Sequence, residues 1–339
     1  MKKILIRADG GKGIGMGHIM RMLVLAKELR NECEVSFICK YDDYKYLPGI
    51  RKVQECGFKV HEITSNNVVK DIIQNQQKIQ ADLLITDSYD VDEEYFDILN
   101  SYFTKTVYVD DINICRINTD IIINQNINAK EYSYNTKPNK GTKLLLGSKY
   151  IMLREEFRNN VTKKIPNMVK DIILTLGGMD DNYLTLKVLE SLIDFDGNVH
   201  VILGGAFEEE LIKKVENFKN EKLNVITHKN AIMSEVMKKC DLAISACGST
   251  LYELSAMKVP TIGIVVADNQ KRIAEVMDSK KIIINTEELI LNNIEIFKCI
   301  VNTMIDNQEK RKEMMEIGRK EINTYGVECL AREILNMLN

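Results

Sequence analysis

Tryptophan is absent from this chain of 339 residues, and proline occurs only four times. So little proline argues against a long disordered linker. No apolar run approaches the length of a membrane span, so no stable membrane insertion is expected. Lys2 and Lys3 precede only a short apolar run that ends at Arg7 and Asp9, so the expectation is no secretory signal and a cytoplasmic protein. An excess of positive charge is also missing. The formal net charge is −3, which leaves no electrostatic footprint for nucleic acid. The eight cysteines stand at 33, 39, 56, 115, 240, 247, 299 and 329, and none forms a Cys-x-x-Cys pair. That speaks against structural zinc and for reduced thiols in an intracellular setting. What remains is the balance of a globular protein, 45% hydrophobic and 28% charged. At this length two domains are the default.

Short β-rich runs alternate with helical stretches throughout. The first half offers strands at 3–7, 34–39, 59–63, 82–86, 105–109, 121–124 and 143–146. A second series follows at 171–176, 200–203, 224–227, 242–245, 261–265 and 281–284. Ile19, Met22, Leu23, Ala26 and Leu29 recur at helical spacing, and helices are expected at 250–257 and 270–279. The alternation predicts an α/β protein with two doubly wound, Rossmann-like parallel sheets, each covered on both faces. The expected division is a first domain over 1–153, a linker over 154–169 and a second domain over 170–306. A charged, continuous helical stretch over 307–339, bent at Gly318 or Gly326, is expected to cross the junction. Ligands of open α/β sheets bind outside the carboxyl ends of the strands, so the glycine loops found there are expected to converge on a cleft between the domains.

The loop after the first strand holds Gly10, Gly11, Gly13, Gly15 and Gly17, and His18 stands at the mouth of the next helix. The glycine spacing is wrong for a dinucleotide fingerprint. Lys12 precedes glycine rather than Ser or Thr, so this is no P-loop either, and no nucleotide cofactor is expected. A lone histidine is more often a cap or a core residue. Here Gly15 and Gly17 let a ligand approach closely, and Arg21 lies one turn on near the same face. An imidazole titrates near neutral pH, which makes His18 the candidate catalytic base.

Gly248, Ser249 and Thr250 follow the strand at 242–245 and open a helix. Their backbone N–H groups, the helix dipole and two hydroxyls suit an anion. Glu253 either closes a capping box with Thr250 or accepts two hydrogen bonds from vicinal ribose hydroxyls, and spacing leaves both open. Leu176-Gly177-Gly178-Met179-Asp180-Asp181 is a third strand-to-helix glycine turn. Asn269 and Gln270, at another strand end, suit sugar hydroxyls or cap the following helix. Asp90/Asp92 and Asp194/Asp196 have the Asp-x-Asp spacing that can hold a metal on a diphosphate. However, Asp92 precedes Glu93-Glu94 as a cap does, and 194–197 reads as a turn, so no metal site is expected.

The ordered motifs begin with Arg7-Ala8-Asp9, Ile14-Gly15-x-Gly17-His18-x-x-Arg21, Thr86-Asp87-Ser88-Tyr89 and Val109-Asp110-Asp111. They continue with Gly147-x-x-Tyr150-x-x-Leu153-Arg154-x-Glu156-Phe157, Gly177-Gly178-x-Asp180 and Gly248-Ser249-Thr250-x-Tyr252-Glu253. Along nearly its whole length the chain thereby resembles the UDP-sugar hydrolase family of pseudaminic acid biosynthesis (PseG) and the related spore-coat polysaccharide family (SpsG). The resemblance implies the two-domain GT-B fold, related to the lipid II-forming transferase MurG. It also implies hydrolysis of UDP-2,4-diacetamido-2,4,6-trideoxy-β-L-altropyranose, or a close diacetamido sugar, to UDP and free sugar. Water would attack C1 with inversion, and the product would enter nonulosonic acid or surface polysaccharide synthesis.

The resemblance carries the catalytic histidine onto His18 and places UDP on the second domain. Glu253 falls at the ribose, Gly248, Ser249 and Thr250 at the diphosphate, and the 228–233 segment, with Met233, at the uracil. Tyr89 and Asn269 are carried over as sugar or phosphate contacts. Two positions depart from the family: Gly10 follows Asp9 where a small or hydroxyl residue is more usual, and Cys247 stands where glycine or alanine is usual. The alternative is a GT-B glycosyltransferase whose histidine activates an acceptor hydroxyl. It ranks second because residues 1–150 hold no Lys/Arg-dense amphipathic segment to meet a membrane acceptor. A non-catalytic UDP-sugar sensor is a third. The expected partner is a small UDP-sugar, and a monomer is favoured.

Overall fold

The computed structural model describes residues 1–11, 13–136, 141–159, 161–180 and 182–339. Lys12 and Asp181 lie outside the described residues. The chain divides into two compact units: Met1–Arg154 with Tyr325–Asn339, and Glu155–Thr324.

The first unit is built on β1 (Lys3–Ala8), β2 (Glu34–Lys40), β3 (Lys59–Ile63), β4 (Leu83–Asp87), β5 (Lys105–Val109), β6 (Ile121–Asn124) and β7 (Lys143–Leu146). They form one parallel sheet in the order β3-β2-β1-β4-β5-β6-β7. The second unit holds β8 (Asp171–Thr175), β9 (Gly197–Ile202), β10 (Leu223–His228), β11 (Leu242–Ala246), β12 (Thr261–Ile264) and β13 (Ile283–Asn285). Its sheet is also parallel, in the order β10-β9-β8-β11-β12-β13. Every strand anticipated from the sequence is present, and the α/β class is the one observed.

Alternation of side chains explains the layering. In β1, Ile4 and Ile6 enter the core under the helix Gly17–Leu29, together with Ile19, Met22, Leu23, Ala26 and Leu29. Leu5 points to the other face and packs with Tyr95, Phe96 and Leu99 of the helix Glu93–Leu99. Near-continuous apolar strands are what a sheet covered on both faces demands. In each sheet the first strand lies beside the fourth, and the strand order reverses there. This reversal opens a crevice at the carboxyl edge between β1 and β4, and another between β8 and β11.

The C-terminal stretch corrects the expectation of one continuous helix. Helix Gln308–Glu321 ends at buried Ile322, which is extended, and a separate helix, Gly326–Leu338, follows. The first belongs to the second unit and the last to the first unit. Gly326 is where the last helix meets the first unit: a Cβ there would lie 2.4 Å from the Ile151 carbonyl oxygen. Among the described residues no helix is long and apolar enough to cross a membrane. All eight cysteines are free thiols.

Candidate active site

The glycine loop after β1 is divided in two. Gly10 and Gly11 are packed: the N–H of Gly49 donates to Gly10 O at 3.2 Å, and a Cβ on Gly11 would lie 1.7 Å from Lys45 O. Gly13 and Gly15 adopt φ of +78° and +75° and, like Gly17, border open space. One end of the loop is thus bolted to the 45–49 segment, and the other is bare backbone in front of His18. Arg7 and Asp9 of the same motif are braces. Arg7 has no exposed surface and donates to Asp90 O at 2.9 Å and Asp90 Oδ2 at 3.0 Å, while Asp9 Oδ1 accepts the Lys40 N–H at 2.7 Å.

His18 opens the helix Gly17–Leu29, and its Nδ1 lies 2.6 Å from Oδ1 of Asp87, the last residue of β4. Asp87 has no exposed surface. Arg21 donates through Nε to Asp87 Oδ2 at 2.6 Å and through Nη2 to Asp87 Oδ1 at 2.5 Å. Its Nη1 reaches both oxygens of Asp111, at 2.9 and 2.8 Å. The Tyr89 hydroxyl donates to Asp111 Oδ2 at 3.1 Å, and its ring meets the His18 ring edge-on at 4.7 Å. Asn126 Nδ2 donates to Asp111 Oδ1 at 3.1 Å.

Two carboxylates therefore share one guanidinium, and the remaining negative charge faces the imidazole. Burial alone would depress the His18 pKa, but the charge and hydrogen bond of Asp87 outweigh it and raise the value above 6.5. Burial would raise Asp87, but Arg21 and then His18 hold its carboxyl well below the usual carboxylate range. Burial would also lower Arg21, yet Asp111 and Asp87 keep it firmly protonated. An ionised Asp87 keeps the proton of a neutral His18 on Nδ1, so Nε2 carries the lone pair. No described residue bonds Nε2. A buried carboxylate orienting an imidazole whose far nitrogen is free is an arrangement for taking a proton from water or a hydroxyl.

Of the residues singled out on the first domain, Gly15, Gly17, His18, Arg21 and Tyr89 come together at the carboxyl edge of β1 and β4. The sequence presents Asp87 and Asp111 only as letters of motifs. Asp87 lies 69 positions from His18 and Asp111 lies 90 from Arg21, and nothing local to either signals the contact.

The second unit offers backbone rather than charge. Gly248, Ser249 and Thr250 leave β11 through buried Cys247, and none of their three N–H groups has a partner among the described residues. Ser249, not Thr250, caps the helix Thr250–Ala256 and makes no side-chain cap bond, so the capping box of Thr250 with Glu253 is not formed. Gln270 does not cap the next helix through its side chain either. Its Oε1 accepts the Val266 N–H at 3.1 Å, and its Nε2 lies 3.8 Å from where a Gly248 Cβ would be. Gly177 and Gly178 are exposed and press on Gly204, and the Asp180 carboxylate accepts from Leu184 N and Thr185 N at 2.8 Å each, at the start of the helix Leu184–Ser191. Met233 opens the helix Met233–Lys239 after β10, and Asn269 is exposed. His228, at the end of β10, is tied at 3.0 Å to His200, whose other nitrogen lies 3.0 Å from Asp171. Among the described residues no group of His, Cys, Asp and Glu has the arrangement to hold a metal ion.

No protein-family model matches the chain. An uncharacterized protein of Methanocaldococcus jannaschii is 34% identical over 275 residues, 77% of this chain, which spans about half (55%) of that protein's length. The UDP-2,4-diacetamido-2,4,6-trideoxy-beta-L-altropyranose hydrolase of Campylobacter jejuni is 27% identical over 80% of this chain and 94% of its own. The spore coat polysaccharide biosynthesis protein SpsG of Bacillus subtilis is 27% identical over 80% of this chain and 79% of its own. Among solved structures, Acinetobacter baumannii MurG superposes with a TM-score of 0.72 at 13% identity, covering 99% of this chain and all of that one. A S. aureus MnaA–UDP structure superposes at 0.64 and 12% identity, covering all of this chain and 97% of that one. The chain is therefore a sequence relative of a UDP-sugar hydrolase and of SpsG, built as two parallel-sheet α/β domains on the GT-B fold that MurG has.

Proposed function

We propose that this protein is a UDP-sugar hydrolase that releases UDP from a diacetamido-trideoxyhexose by water attack at C1 with inversion. The observation that carries the reading is His18, held through Nδ1 by buried Asp87 with no partner for Nε2 among the described residues. In the proposed reaction Nε2 takes a proton from water as the water oxygen bonds to C1, and the C1–O bond to UDP breaks. UDP leaves as a stable anion, so the chemistry needs an activated water more than a strong acid. A positioned base contributes on the order of 10²–10⁴ in rate.

The second domain would hold the nucleotide. The three unpartnered N–H groups of Gly248, Ser249 and Thr250, with two hydroxyls, suit the diphosphate and the charge that develops on it. Glu253 suits the ribose hydroxyls, the turn at Gly177 and Gly178 the close approach of a phosphate, and the 228–233 segment with Met233 the base. Gly15, Gly17, Arg21 and Tyr89 of the first unit, and Asn269 and Gln270 of the second, are each proposed as sugar contacts. The hydrolase named among the relatives and the UDP-bound neighbour support a UDP-sugar as the ligand.

The test is an NMR time course with candidate UDP-diacetamido-trideoxyhexoses and no acceptor. UDP and the inverted free sugar are the expected products. Release that begins only when an acceptor is added would replace the hydrolase by a transferase. Binding without release on long incubation would make the protein a sensor.

A further inference from the structure

We infer that Asp111 is a positioning residue for this hydrolysis, acting on His18 through Arg21 and Tyr89 without touching the substrate. The inference rests on reading His18 as the base. Asp111 lies just past β5, one strand beyond β4, and is mostly buried. Four hydrogen bonds end on its carboxylate: two from Arg21 Nη1, one from the Tyr89 hydroxyl and one from Asn126 Nδ2. Two of these donor residues also face the imidazole. Arg21 Nη2 lies 3.2 Å from His18 Nδ1, and the Tyr89 ring stands edge-on to the His18 ring.

Charge accounting gives Asp111 a definite task. The groups facing His18 are Asp87 from β4, Arg21 from its own helix, Asp111 from β5 and the neutral phenol of Tyr89. A guanidinium next to Nδ1 repels an imidazolium, and a second carboxylate on the far side of that guanidinium offsets the repulsion. Asp111 also holds the Tyr89 hydroxyl, which fixes the angle at which the ring walls the imidazole. Loss of Asp111 leaves Arg21 and His18 to share Asp87 as their one remaining carboxylate, and releases Tyr89.

The experiment is a set of pH profiles of kcat/KM for the unaltered protein, Asp111→Asn, Arg21→Gln and Tyr89→Phe, with UDP affinity and thermal melting measured on each. Asp111→Asn removes a negative charge, so the acidic limb moves to lower pH. The same variant loses roughly tenfold in kcat through misplacement of the base, with UDP affinity and KM little changed. Arg21→Gln removes a positive charge, so its limb moves the other way. Tyr89→Phe lowers kcat while leaving the limb in place. An unmoved limb in Asp111→Asn, or limbs that move together in Asp111→Asn and Arg21→Gln, overturns the inference. If Asp111→Asn does not fold, an unmoved limb in Arg21→Gln overturns it. His18→Asn, run beside them, separates the two levels: full turnover there removes the base itself, whatever the limbs do.

Discussion

At the end of β4 the first unit presents a carboxylate with no exposed surface, clasped by an imidazole and a guanidinium. At the end of β11, the matching strand of the second unit, the chain presents a glycine, a serine and a threonine whose N–H groups have no partner among the described residues. The order of the first six strands is the same in both sheets; the chemistry is not. A base must hold and release a proton, so its charge has to be buried, paired and balanced, which takes side chains from three elements. An anion grip needs only oriented dipoles, which one turn of backbone supplies. The residue just before that turn makes the contrast plain. Cys247 has no exposed surface, and burial pushes its thiol up to about 12, so it packs as an apolar side chain. It fits because Gly263 on β12 leaves room: a Cβ there would lie 2.7 Å from Cys247 Sγ.

The sharpest break in this comparison is His18→Asn. Turnover is expected to fall by about 10²–10⁴-fold with UDP affinity unchanged. Stopped assays of UDP release beside calorimetry decide it, and a parallel loss of UDP affinity would erase the division of labour. Asp87→Asn comes next, at about 10²-fold in kcat, since the amide no longer selects the Nδ1–H tautomer. The pH dependence has a definite sign. The His18 pKa is raised above 6.5, and the neutral form is the proposed base, so activity in the unaltered protein is expected to be lost as pH falls through that raised value. Asp87→Asn moves this limb to lower pH, because the carboxylate is what holds the proton; a limb that stayed put would take Asp87 out of the reading.

Glu253→Gln should do the opposite of His18→Asn. UDP binding is expected to weaken by about tenfold, roughly 1.4 kcal/mol, while kcat at saturation changes little. Equal effects on kcat and affinity would blur the contrast. The smallest expected effect lies in the scaffold of the base. Gly49→Ala drives a methyl to 2.4 Å from Gly10 O and should cost about 1–3 kcal/mol in thermal or denaturant unfolding. An unchanged melting temperature would show that the anchored end of the glycine loop gives way easily.

Much of the scaffold was legible because its signal is local. Each strand announces itself by a short apolar run, and β3, β5, β6 and β7 begin and end where the pattern places them. Boundaries slipped where pairing overrode composition. β9 starts at Gly197, three residues earlier than the apolar run, because Gly197 and Asn198 pair in register with Leu223 and Asn224. The helix cap at Ser249 rather than Thr250 is a shift of one residue, which spacing could not resolve, and it undoes the capping box. Both stretches flanking Ile322 are helical by themselves, so the sequence offers a bend at Gly318 or Gly326 where the structure has a full break just before Gly326. Contact with Ile151, far back in the chain, sets where the second helix begins.

Sequence alone determined the α/β class, the order of its strands along the chain and the glycine turns at their ends, and it singled out His18 as a candidate base, because each depends on neighbours within a few positions. Only the tertiary structure decided that His18 meets Asp87, that Arg21 bridges to Asp111 and that Tyr89 edges the imidazole. Those contacts join the helix Gly17–Leu29 to the carboxyl ends of β4 and β5. Their strength comes from burial and from the balance of charge in a space that exists only once the sheet has formed.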